Sequence, residues 1–295
     1  MKMKCSLCPR MCNVDREITT GYCGVKKTLR VARAALHFWE EPCISGEEGS
    51  GAVFFTGCNL RCVFCQNFQI ARAEQGKEIT VERLSEIFLE LQEQKANNIN
   101  LVTATHYVPQ VVEALKNAKE KGLHIPVVYN CGGYETVETL KLLEGLVDIY
   151  LPDFKYVDHD RAKRYSRAED YPEAAKKALA EMVRQQPEAE FDERGIMKKG
   201  VIVRHLMLPG GIKDSKAVVK YLYETYGNQI FISLMNQYTP LPHVADYPEI
   251  DRKLKKFEYD RLVDYAISLG VENGFIQEGE TAEESFIPAF TNEGV

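Results

Sequence analysis

The sequence contains no uninterrupted apolar run approaching the ~18 residues that a membrane-spanning helix needs. Its opening, Met-Lys-Met-Lys-Cys-Ser-Leu-Cys, also lacks the apolar core of a secretory signal. No membrane association is expected, and a cytoplasmic location is, where thiols stay reduced. A basic excess is missing too: 37 Lys and Arg stand against 43 Asp and Glu, for a formal charge of −6. Binding to phosphate backbones requires a basic footprint. That weighs against a nucleic-acid partner, although a local basic patch would leave room for RNA. Low-complexity segments are absent, and no repeat longer than a strand–helix unit is visible.

Cysteine, by contrast, is plentiful. The chain has nine, an odd number concentrated near the N-terminus. In a reducing compartment such a set reads as metal ligands, not as a disulfide framework. Cys58, Cys62 and Cys65 follow directly on the apolar run Ala52-Val53-Phe54-Phe55, with spacing C-x₃-C-x₂-C. Thiolates suit zinc and iron–sulfur clusters. Zinc normally takes four ligands, and no histidine lies close enough in sequence to complete this set. A cubane cluster held by three cysteines keeps one iron without a protein ligand, as catalytic metal sites keep a position open. A zinc knuckle, or a disulfide with a spare thiol, is the alternative on these residues alone.

A second group, Cys5, Cys8, Cys12 and Cys23, falls within residues 1–48 with little apolar mass around it. A metal must then supply much of that module's order, either as an auxiliary [4Fe–4S] cluster or as a closed zinc site. Cys43, in Trp39-Glu40-Glu41-Pro42-Cys43, reads as a linker thiol at the boundary to the next module.

From residue 50 onward, strands alternate with helices. Strands are predicted over 51–56, 99–104, 125–130, 147–151, 201–208 and 230–235. Thr80 and Thr136 are expected to cap helices, Pro172 to sit in a first turn, and Gly270 to stop the helix over 258–269. The polar stretch 186–200 reads as a hairpin excursion. The expected division is 1–48 for the cysteine-rich module, 49–270 for an α/β unit, and 271–295 for a C-terminal extension, tail-like over 278–295.

If the strands form a barrel, chemistry belongs at their carboxyl ends. There lie Thr105 and His106, Asn130, Asp153 and Lys155, and Arg204 with His205. Asp153 and Lys155 project alike from an extended segment. Alternation puts Arg204 toward the barrel mouth and leaves His205 in the packed layer as a core histidine.

The Cys58–Cys62–Cys65 motif, with aromatic Phe64 before its third cysteine, resembles that of the radical S-adenosylmethionine (SAM) enzymes. Asp153-Phe154-Lys155 and the string from Val203 to Gly211 resemble segments of the pyruvate formate-lyase-activating enzyme, and the cysteine-rich start is most similar to its PflX-type relatives. This resemblance implies an open (β/α)₆ partial barrel, TIM-like in construction. It further implies a [4Fe–4S] cluster whose open iron is chelated by SAM, and reductive cleavage of SAM to a 5′-deoxyadenosyl radical that abstracts hydrogen. Phe64, Asn130, Asp153, Lys155 and Arg204 would hold SAM. The substrate would be a protein or peptide, including a glycyl radical enzyme; a small molecule or RNA is the second reading, and a zinc-stabilised binding protein the third. A low-potential donor of flavodoxin or ferredoxin type would supply electrons. One departure is plain: where activating enzymes carry Gly-Gly-Glu after the second strand, this chain has Ala104-Thr105-His106 and no carboxylate. Thr105 and His106 are then expected on the substrate side.

Overall fold

The computed structural model describes residues 4–277 and 288–295. Its strands are β1 (Leu29–His37), β2 (Ser50–Phe55), β3 (Lys77–Ile79), β4 (Ile99–Val102), β5 (Val127–Cys131), β6 (Ile149–Pro152), β7 (Glu190–Phe191), β8 (Met197–Leu206), β9 (Phe231–Met235) and β10 (Gly274–Ile276). The helices are α1 (Pro42–Ser45), α2 (Phe68–Ala71), α3 (Val81–Glu93), α4 (Val108–Glu120), α5 (Val137–Lys141), α6 (His159–Ser166), α7 (Tyr171–Gln185), α8 (Ile212–Tyr226) and α9 (Lys256–Leu269).

Strands β2, β4, β5, β6, β8, β9 and β10 lie side by side and parallel. All six strands expected from sequence are among them. Such strands are covered on both faces, which is why β2 and β5 are buried at every position. Among the described residues no pairing joins β10 to the opposite edge, so the sheet stays open as a partial barrel. β1 runs antiparallel to β2, and β3 to β1. Thus part of the stretch assigned to the N-terminal module, and part of that assigned to the C-terminal extension, are sheet strands. Of the tail expected over 278–295, residues 278–287 lie outside the described residues. Ala34 N–H donates to the Glu293 carbonyl at 2.8 Å, so residues near the end run beside β1. The 186–200 excursion is the hairpin β7–β8.

Local chemistry explains the helices. The Thr80 hydroxyl accepts from the Arg83 N–H at 3.1 Å, and Leu84, Ile87, Phe88 and Leu91 form the buried stripe of α3. Thr136 caps α5 in the same way, and Gly270, with φ 99°, ends α9 in the left-handed region. In β8, Val201, Val203 and Met207 pack under the helices, whereas Ile202 faces inward against Val128, Ile149 and Leu151. Cys43 and Ile44 of α1 join that inner cluster and close one end of the barrel. Cys43 is therefore a core thiol, pushed up to about 12 by burial.

Candidate active site

The loop leaving β2 is tied down on several sides. Gly57 turns it at φ 97°, and the Val63 N–H donates to the Tyr165 carbonyl at 2.8 Å. Cys58, Cys62 and Cys65 are free, partly covered thiols on this loop. Burial raises the thiol pKa of Cys65, and the charges of Cys58 and Cys62 raise it further, so the sulfurs are within electrostatic reach of one another. Burial also raises Cys62, against the pull of Lys155. The Cys62 sulfur lies 3.0 Å from the Ser166 hydroxyl, and the Leu60 N–H donates to the Cys58 sulfur at 3.4 Å. Hydrogen bonds of this kind tune ligating thiolates.

The residues expected to hold SAM converge beside this loop. Arg204 is the hub, with its Nε donating to Asp153 Oδ1 at 3.0 Å, its Nη2 to Asn130 Oδ1 at 2.6 Å, and its Nη1 to Glu40 Oε2 at 3.0 Å. Lys155 Nζ donates to the other Asp153 oxygen at 2.7 Å and stands 6.0 Å from the centre of the Phe64 ring. Burial would raise the Asp153 pKa, but Lys155 and Arg204 outweigh it and hold the carboxyl below its ordinary value. Burial likewise works against charge on Lys155, and Asp153 with Cys62 overrules it. His205 turns to the packed layer, where its ring Nδ1 lies 2.8 Å from the Phe154 carbonyl.

Thr105 and His106 lie deeper than a substrate-facing place would require. The Thr105 hydroxyl donates to Glu135 Oε1 at 2.7 Å, and His106 Nε2 lies 2.8 Å from the Thr56 carbonyl. Both are buried, and burial pulls His106 down to about 3, so it stays neutral. His106 thereby braces the start of the cluster loop, and Thr105 ties its segment to Glu135 after β5. Glu135, whose pKa burial raises to about 7, also accepts from the Tyr129 hydroxyl at 3.2 Å.

The N-terminal cysteines sit against the same loop. Cys8 and Cys23 are buried, while Cys5 and Cys12 are partly covered. A Cβ on Gly21 would stand 3.5 Å from the Cys12 sulfur and 3.6 Å from that of Cys23. Cys8 is pushed up to about 12 by burial, with Glu135, Cys12 and Cys23 adding; Cys23 is raised by burial and also feels Cys5 and Cys12. Arg10 fastens the module, donating to the Asn59 carbonyl at 2.8 Å and the Ser166 carbonyl at 2.9 Å.

Sequence reasoning missed Glu40 and Asn100. Glu40 Oε1 accepts from Asn100 Nδ2 at 3.1 Å and Asn130 Nδ2 at 3.2 Å, which places a carboxylate inside the barrel. Its local string reads as a linker, and no nearby residue signals partners some 60 to 164 positions away.

The donors suit a [4Fe–4S] cluster. Three free thiols on one loop, directly after one strand, are the donor set that such a cluster takes.

Residues 52–233 match the radical SAM superfamily. An uncharacterised protein of Methanocaldococcus jannaschii is 28% identical over 270 residues, covering 89% of this chain and 74% of that protein. The pyruvate formate-lyase-activating enzyme of Clostridium pasteurianum is 34% identical over 119 residues, 38% of this chain and 48% of that enzyme. In fold, the chain is similar to Streptococcus suis SuiB bound to its precursor peptide SuiA, with a TM-score of 0.51, 13% identity and 75% of this chain covered. It spans 46% of SuiB, and 54% of the [FeFe]-hydrogenase maturase HydG, which it matches with a TM-score of 0.51 and 14% identity over 80% of its own length. With more than half of its length matched by the family, and with that family's partial barrel as its fold, this chain belongs to the radical SAM superfamily.

Proposed function

We propose that this enzyme abstracts hydrogen from a protein or peptide, in the manner of the activating enzymes of glycyl radical enzymes. The observation that carries the reading is the Arg204–Asp153–Lys155–Asn130 constellation beside the three loop cysteines. When bound, a [4Fe–4S] cluster on Cys58, Cys62 and Cys65, together with SAM, supplies one-electron cleavage and hence hydrogen abstraction. The chain's own part is to preorganise that site. Asp153 fixes both Lys155 and Arg204, so neither cation has to be ordered when the cofactor arrives. Phe64 offers an apolar face beside Lys155 for the adenine. Asn130, held by Arg204, presents a polar edge.

The substrate class is supported by the partial likeness to an activating enzyme and by the peptide that SuiB binds. Cys5, Cys8, Cys12 and Cys23 hold a second [4Fe–4S] cluster in this reading, supported by four thiols in one short module, of which Cys8 and Cys23 each feel the charge of Cys12. Radical SAM enzymes need a reductant, and a flavodoxin or ferredoxin type donor would serve. No helix among the described residues is long and apolar enough to cross a membrane.

The test is anaerobic reconstitution with iron and sulfide, then SAM and a low-potential reductant. About eight irons per chain are expected for two cubanes and about four for one. Absence of 5′-deoxyadenosine would reject the chemistry. A glycine-centred electron paramagnetic resonance signal on a glycyl radical partner would establish the substrate. Product formation with no such signal would turn the assignment toward a small molecule or RNA.

A further inference from the structure

A cavity of about 300 Å³ opens beneath Arg204, within the range of volumes that bind small ligand groups. Its lining includes Glu40, Glu41, Arg204, Phe38, Trp39 and Phe275. Phe38 and Trp39 are 49% and 63% exposed, so part of the lining is aromatic and reached from solvent.

The charges around this cavity do not balance. Asp153, Glu40 and Glu41 are three carboxyls, and Arg204 and Lys155 are two cations. Arg33, the next cation, is paired with Glu293 at 3.0 Å. His37 adds no charge, because burial, with Arg33 and Arg204, pulls its pKa down to about 4. The carboxyl left over is Glu41. It is only 8% exposed and leans on the Ser233 hydroxyl, yet among the described residues its Oε2 has no hydrogen-bond partner. Burial raises its pKa, the nearby Glu40 raises it further, and Arg204 opposes both. A buried carboxylate without a partner is costly, and it is relieved either by a proton or by a cation.

The geometry points to a substrate subsite here: the cavity takes one cationic side chain, an ammonium or guanidinium, with its charge on Glu41 and its stem against Phe38, Trp39 and Phe275. Aromatic faces and a carboxylate are the usual pair of partners for such a group. The cavity wall includes Gln237, whose backbone carbonyl accepts from Gln66 of the cluster loop at 3.0 Å. A residue anchored in the cavity would therefore present the neighbouring part of its chain toward the cluster end of the barrel. This subsite rests on the reading of a protein or peptide substrate and narrows it to one with a lysine or arginine near the reacting residue.

Trp39 is the chain's one tryptophan, so its fluorescence reports directly on the cavity. Titration of the protein with N-acetyl-lysine methylamide should give a saturable change, as should the arginine analogue if a guanidinium is accepted. The uncharged norleucine analogue should give none. Glu41→Gln should weaken the lysine response at least tenfold while binding of radiolabelled SAM stays as in wild type. Equal responses to lysine and norleucine would overturn the subsite, and would mean that Glu41 simply remains protonated. A parallel tenfold loss of SAM binding in Glu41→Gln would overturn it too, by giving the acid to the cofactor. The lysine–norleucine comparison uses only wild-type protein and stands even where the variant misfolds. Because binding is read without turnover, hydrogen abstraction from an uncharged peptide as readily as from its lysine-containing counterpart removes the subsite alone. Lysine binding with no peptide turned over removes the peptide reading and leaves the subsite.

Discussion

The backbone N–H of Cys58 donates to the carbonyl of Cys23 at 3.4 Å. One hydrogen bond thus links the two cysteine groups, and the loop that carries the open-iron motif is folded against the N-terminal module.

Gly57 is what permits that approach. Its φ of 97° lies in the left-handed region, and a Cβ there would stand 2.9 Å from the Cys23 carbonyl and 3.0 Å from His106 Nε2. Gly57→Ala should cost ~1–3 kcal/mol of stability through backbone strain alone. It should also lower the iron bound per chain, because the loop cannot keep both its turn and its contact. Urea unfolding and iron analysis on the same preparation check this. An alanine variant with wild-type iron and stability would show that the loop tolerates a different path.

Asp153 is shared by two largely buried cations, Lys155 and Arg204. Asp153→Asn keeps an oxygen for Arg204 but turns an amide donor toward the lysine ammonium. Arg204 keeps Glu40, but Lys155 loses its carboxylate, and leaving one charge of a buried pair uncompensated costs roughly 3–5 kcal/mol. The expected result is that much lost stability, with SAM binding weakened in the fraction that folds. The loss should shrink as pH falls through the wild-type carboxyl's depressed pKa, where Asp153 is itself protonated. Denaturant midpoints at neutral and acid pH measure both, and a variant as stable as wild type would mean that the cations are held by other groups.

His205 gives a pH dependence of opposite origin. Burial lowers its pKa to about 4 despite the Phe154 carbonyl on Nδ1, and its Nε2 has no partner. The folded protein keeps the ring neutral while the unfolded chain takes up a proton below ~6.5. Stability from this residue is complete above pH 6.5 and is lost as pH falls toward 4, at ~1.4 kcal/mol per pH unit. His205→Asn should therefore flatten the acid side of the stability curve by one proton between pH 6.5 and 4. Unfolding free energies at pH 7, 6 and 5 for both proteins test it, and parallel curves would mean that the ring is protonated in the fold.

Much of this architecture could be read from the chain because the signals are local. Six of the seven parallel strands announce themselves as short apolar runs, the helix caps at Thr80 and Thr136 as single residues, and Arg204 against His205 by alternation within β8. What was hidden depends on long-range pairing. β1 pairs with β2 across a turn that carries the Trp39-Glu40-Glu41 string, and only that pairing carries Glu40 to Asn100, Asn130 and Arg204. The inward turn of His106 escaped for the same reason, because its partner Thr56 is 50 positions away.

Arg10 should decide whether the N-terminal module stays docked. Its guanidinium donates to the carbonyls of Asn59, Ser166 and Arg167, and its centre lies 3.9 Å from that of the Tyr22 ring. Hydrogen bonds from a charged donor each contribute ~1.5–3 kcal/mol, and a lysine cannot reproduce the planar fork that reaches three carbonyls. Arg10→Ala is thus expected to free residues before β1, and Arg10→Lys to do nearly as much harm. Trypsin should then cut at Lys26 and Lys27 while the barrel resists, and if Cys5, Cys8, Cys12 and Cys23 hold the proposed second cluster, bound iron should fall from about eight to about four per chain. Wild-type cleavage in both variants would instead assign the docking to the Leu7 carbonyl, which accepts from the Thr139 hydroxyl at 2.8 Å.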